Sequence, residues 1–164
     1  MAELTKLETK LGEVMGLAMA AQAATKKVLT LAEDEDKSVT SQLERMHEEA
    51  VETERRCSDL AGSLDGKKTA IHEEASSVKA KGAEMMSTYL DADSDALDGF
   101  EFLTMAEAGE VGHWGVLKTL NDRAGSSEIR DLVEWALPIQ ESHFAGVTRT
   151  SLALASGEDP NEPA

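Results

Sequence analysis

The 164-residue chain carries 32 acidic and 16 basic residues, a formal charge of −16, with 41% hydrophobic residues and only 4% aromatics. That length suits one domain, the Ala, Leu, Glu, Met and Lys usage favours helices over a β-sandwich or barrel, and lone Cys57 excludes a disulfide framework. The acidity disfavours nucleic acid and anionic lipid, apolar runs fall short of a membrane span, and Glu3, Glu8 and Glu13 stand where a signal peptide would be apolar; the expectation is a soluble, cytoplasmic, all-α protein with no nucleic-acid or membrane partner.

Four long helical patterns and one shorter one follow in chain order. Leu4, Leu7, Leu11, Met15, Ala18, Gln22, Thr25, Leu29 and Ala32 recur at three- and four-residue steps, the stripe of a helix over about 3–32. An acidic turn at 33–36 precedes a second helix over about 39–63, capped by Ser38 or Thr40, with Leu43, His47, Ala50, Glu54, Cys57 and Ala61 inward. A shorter helix over 68–88 ends before Asp91-Ala92-Asp93-Ser94-Asp95, which lacks the later Gly and Glu of a calcium-binding loop.

The third long helix, about 95–123, places Leu97, Phe100, Leu103, Glu107, Glu110, Trp114, Leu117 and Asn121 on one stripe. Gly125-Ser126-Ser127 makes a tight turn into the last helix, about 128–155, with Ile129, Leu132, Ala136, Gln140, His143, Val147, Thr150 and Leu154 inward and Pro138 expected to bend it. Residues 1–156 read as one domain and 157–164 as a disordered tail. Two short connections make two antiparallel hairpins, and the helix-containing stretch between them makes a crossover, the outline of an antiparallel four-helix bundle.

The stripes are interrupted by polar residues near mid-helix: Gln22, His47 and Glu54, Glu107 and Glu110, Gln140 and His143. Burying such groups unpartnered costs several kcal/mol each, so they must meet one another, water or a metal. Gln22 and His47 are symmetric about the acidic turn, and Glu107 with His143 and Glu110 with Gln140 are symmetric about Gly125. At 1.5 Å per residue they lie roughly 19–27 Å from their turns, so hairpins docked with turns at opposite ends bring both sets to the bundle centre. Glu44-x-x-His47, Glu110-x-x-His113 and Gln140-x-x-His143 each put two donors on one helix face, the spacing with which paired helices bind two metal ions.

With this helix pattern, Glu44/His47, Glu107 or Glu110, and Gln140/His143, the chain resembles the ferritin-like superfamily. Glu52-Thr53-Glu54 followed by Lys67-Lys68, and Glu107-x-x-Glu110 ahead of Trp114-Gly115-Val116-Leu117, resemble its bacterial, stress-associated YciF-like branch. The resemblance spans about 3–155. It implies a bundle that binds iron or manganese at its centre, with oxidase-like or protective chemistry, and a homodimer. The implied metal residues are Gln22, Glu44, His47, Glu107, Glu110, Gln140 and His143, with Gln22 and Gln140 standing where the superfamily places glutamates.

Those two glutamines remove charge on which a divalent pair relies, so a second reading stands beside the first: a metal-free scaffold or interaction protein whose polar residues form a network fixing helix pairing. Glu44 reads equally as a solvated residue, His72 and His113 as surface residues, Cys57 as a small core residue, and Trp114 and Trp135 as core or dimer anchors. Gly12 and Gly16, like Gly109, Gly112 and Gly115, suggest close helix approach or space for neighbouring side chains. No P-loop, dinucleotide fingerprint or serine-hydrolase elbow is present.

Overall fold

The computed structural model describes residues 2–163, which form five helices and no strand: α1 Lys6–Leu31, α2 Lys37–Ser63, α3 Lys68–Tyr89, α4 Ala96–Ala124 and α5 Ser127–Ala155. Met1, the first residue of the expected 1–156 domain, and Ala164, the last of the expected tail, lie outside the described residues. Local chemistry sets the helix ends. At α1, Thr5 and Glu8 exchange side-chain and backbone hydrogen bonds in a capping box, and Asp95 and Asp98 do the same at α4. Gly125 closes α4 in the left-handed region at φ 76°, and the Ser126 hydroxyl oxygen then accepts from the Ile129 amide to start α5.

One local expectation needs correction. The helix after the acidic turn starts earlier than Ser38 or Thr40 suggested: α2 begins at Lys37 behind Asp36, whose charge favours a helix N-terminus without a side-chain cap bond. Pro138 lies inside a continuous α5, on its exposed face, so the missing amide leaves no gap in the buried side of the helix.

Helix α1 is the hub, touching α2, α3 and α4, while α5 lies against α4 and α2. The apolar core divides into two clusters. One gathers Leu11 and Met15 of α1, Cys57 and Ala61 of α2, Ile71 of α3, Trp114 and Leu117 of α4, and Ile129 and Leu132 of α5. The other gathers Val28, Leu43, Met46, Phe100, Leu103 and Val147 from α1, α2, α4 and α5. Residue numbers rise from the first cluster to the second along α1 and α5 and fall along α2 and α4. The α1–α2 and α4–α5 turns therefore lie at opposite ends, and α3 carries the chain back along the height of the molecule. Among the described residues no helix is long and apolar enough to cross a membrane.

The glycines divide by cause. A Cβ on Gly16 would come within 2.4 Å of the Ala75 carbonyl oxygen, and one on Gly12 within 2.9 Å of the Glu74 Cβ, so these two let α3 lie directly on α1. On α4 the expectation of close approach fails: Gly109, Gly112 and Gly115 have nothing within 4 Å of a Cβ position. Gly16→Ala is expected to lower the unfolding free energy by about 1–3 kcal/mol through overpacking, and Gly109→Ala to raise it by about 0.5–1 kcal/mol, both read from urea titrations.

Cys57 is fully buried in the first cluster, and burial, with the Glu54 charge adding, pushes its thiol up to about 12. Native protein at pH 8 is expected to leave this thiol unmodified by a chromogenic disulfide reagent, and urea-unfolded protein to release one equivalent. Rapid native labelling would contradict the assigned packing.

Candidate functional site

Between the two apolar clusters lies a layer of polar side chains contributed by α1, α2, α4 and α5. On the α1–α2 side, the Gln22 amide donates to Glu54 Oε2. His47 Nδ1 lies 3.1 Å from the Gln22 carbonyl oxygen and 3.2 Å from Thr25 Oγ1. A carbonyl only accepts, so Nδ1 carries the proton and Nε2 keeps a lone pair in the neutral ring. Thr25 is buried and spends its own proton on backbone carbonyls of α1.

On the α4–α5 side, Glu107, Glu110, Gln140 and His143 are all buried. Glu107 and Glu110 sit three residues apart on α4 and share a face. With its nitrogen turned to the carboxylates, the Gln140 amide donates to Glu107 Oε2 and Glu110 Oε2, each at 3.1 Å. His143 Nε2 donates to Glu49 Oε2 of α2 at 2.8 Å, and its Nδ1 stands 3.6 Å from Glu107 Oε2. One imidazole and one amide thus hold three carboxylates from two helices.

The electrostatics follow from burial and from the excess of acid. Burial, reinforced by the Glu107 charge, pushes the Glu110 carboxyl well above the usual carboxylate range. Burial alone would lower His143, but the carboxylates of Glu107 and Glu49 outweigh it and raise the imidazole above its ordinary value.

Of the residues expected to form a site, the structure brings together Glu107, Glu110, Gln140 and His143 in one group and Gln22 and His47 in another. Glu44 joins neither. It is exposed, one residue past the fully buried Leu43 and so about 100° round α2 from the inward face. Glu49 and Thr25 were absent from the expected site, and Glu54, read on the inward stripe, holds Gln22. Glu49 escaped because α2 and α5 are not joined by a turn, so no symmetry of residue number relates it to His143. His113 Nδ1 lies 3.1 Å from Glu13 Oε2, and His72 Nε2 lies 3.1 Å from the Ser58 hydroxyl, both half-buried near the surface. Arg56 stacks 4.0 Å over the Trp135 ring, and Arg55 and Arg56 together hold the Glu52 carboxyl well below the usual range through hydrogen bonds and charge.

In this conformation no group of three or more His, Cys, Asp or Glu side chains among the described residues is arranged to hold a metal ion. The chain matches no family model, no curated protein and no solved structure.

Both raised groups bind protons more tightly folded than unfolded. Their stabilisation is whole below the unfolded values, about 4.3 for Glu and 6.5 for His, and is lost as pH rises through the raised folded values. In chelator-treated protein, Glu110→Gln is therefore expected to gain on wild type in unfolding free energy as pH rises above about 4.3. A pH-independent difference between the two would show that Glu110 does not titrate in a buried setting.

Proposed function

We propose that this is a ferritin-like four-helix-bundle protein of the stress-related, YciF-like kind, with α3 as the crossover, that binds iron or manganese in its central polar layer. The observation that carries the reading is the convergence of Glu107, Glu110, His143 and Glu49 from three helices on one place between the two apolar clusters. The donor set fits: carboxylate oxygens with one imidazole suit iron and manganese, and the amide oxygens of Gln140 and Gln22 are neutral donors of the same hard type. His47, with its Nε2 lone pair left free, is the further nitrogen donor of the layer. Iron or manganese held there would supply metal-ion oxidation or activation of oxygen or peroxide. The protein's own part is to exclude water with apolar clusters above and below, and to hold protons at Glu110 and His143 that metal binding releases. A homodimer and a cytoplasmic location belong to the same reading.

A second reading has its own observation. Gln140 and His143 already satisfy the buried carboxylates, so the layer stands as a metal-free network in a scaffold or interaction protein. Elemental analysis of untagged protein grown with iron and manganese decides between them. The first reading expects one or two equivalents per chain, removed by Glu107→Ala with His143→Ala and retained in Glu44→Ala. Full metal content in the double variant would place the site elsewhere. A clean zero that persists after anaerobic iron(II) addition would leave the scaffold.

A further inference from the structure

The two buried carboxyl groups of α4 have a second side. Away from Gln140 and His143, Glu107 and Glu110 form part of the wall of a cavity of about 220 Å³ between α1, α3 and α4. The α1 wall is made of Leu17 and three small residues, Ala20, Ala21 and Ala24, and the α3 wall includes Gly82 and Met85. The close approach that Gly12 and Gly16 give one end of α1 and α3 is matched at the other only by Gly82 over Ala20. Helix α3 makes few contacts with α4, so the space between them stays open. Phe102 and Leu103 continue the apolar lining, and no lysine or arginine lines the cavity. The one further ionisable group there, His113, faces Glu13.

We propose that this cavity is a binding site for a small primary amine with an apolar body, its ammonium group against Glu107 and Glu110 and its body between α1, α3 and α4. The assignment rests on charge and shape together. Two carboxyl groups interrupt an otherwise apolar wall, and the surrounding layer holds more acid than base. An organic cation therefore finds both a counter-charge and apolar cover, whereas an organic anion finds the cover without the counter-charge. Size narrows the class: a cavity of about 150 Å³ takes benzene, with six non-hydrogen atoms, and this volume scales to about nine. The proposal concerns the metal-free protein, in which the carboxyl groups of Glu107 and Glu110 are not taken up by a metal ion.

Calorimetric titration of the chelator-treated full chain at physiological salt tests this. The probes are 2-phenylethylamine, its neutral counterpart 2-phenylethanol, and methylamine, which has the charge without the body. The expected result is saturable binding of one phenylethylamine per chain, about ten- to a hundredfold tighter than the alcohol, as charge-assisted hydrogen bonds require, with no saturable binding of methylamine. Glu107→Gln with Glu110→Gln is expected to remove most of the amine's advantage and leave the alcohol unchanged. Ala21→Leu is expected to weaken both by more than tenfold, because Ala21 lines the cavity and a larger side chain there takes up its volume. Equal affinity for amine and alcohol, equal binding of methylamine, or an unaffected Ala21→Leu variant would each overturn the assignment. Metal content, measured on the untreated protein, stands or falls separately.

Discussion

A buried layer of polar side chains across the middle of the molecule fixes the rest of the structure. Apolar packing alone is permissive about register, since sliding one helix past another by a turn exchanges one aliphatic contact for another. Gln140 and His143 remove that freedom. A shift of α5 along α4 by one turn, about 5.4 Å, would carry one of the two side chains away from Glu107 and Glu110 and break the matched set of hydrogen bonds. Breaking such a pair costs about 3–5 kcal/mol, a large share of the stability of a domain this size. The apolar clusters on either side supply the free energy of folding, and the polar layer selects which arrangement of helices receives it.

Helix α1 carries the complementary constraint, because it is buried on more than one face. Leu11, Met15, Ala18 and Thr25 point into the core, while Gly12 and Gly16 meet α3. A helix with two covered faces cannot show a single clean apolar stripe, and its small residues are what let the second neighbour come close. Since α3 rests mainly on α1, it covers that helix without sealing against α4, and the cavity beside Glu107 and Glu110 follows from this one-sided contact. The seating of α3 and the cavity beside it are thus consequences of where α1 carries glycine and alanine.

How much was legible in the sequence depended on whether a feature is local. Five helices, their approximate ends and most inward residues follow from periodicity, turn glycines and caps, all short-range signals. Glu107, Glu110, Gln140 and His143 could be brought together because α4 and α5 are joined by a tight turn, which converts residue number into height. Glu49 could not, because its partner His143 lies on a helix that the chain reaches only after α3 and α4. Glu44 shows the reverse difficulty: the spacing to His47 is right for a shared ligand, yet the direction of the inward face depends on which helices lie on either side of α2. The glycines make the same point. Gly16 and Gly109 are the same residue in similar helical surroundings, and only the position of α3 separates a required glycine from a replaceable one.

Glutamine at 140 is also what allows the layer to close by itself. A glutamate there would put a third carboxyl group beside Glu107 and Glu110 with no amide to bind them, and shared protons or a cation would have to hold the three together. The Gln140 amide instead donates to both carboxylates, and His143 takes up the remaining charge between Glu107 and Glu49. Folding then does not wait for a metal, unlike small domains whose ligands have no other partners. A cation entering such a layer must displace an amide hydrogen bond and a proton rather than complete an empty cage. The affinity of any cation for such a layer would therefore be set against an already satisfied network.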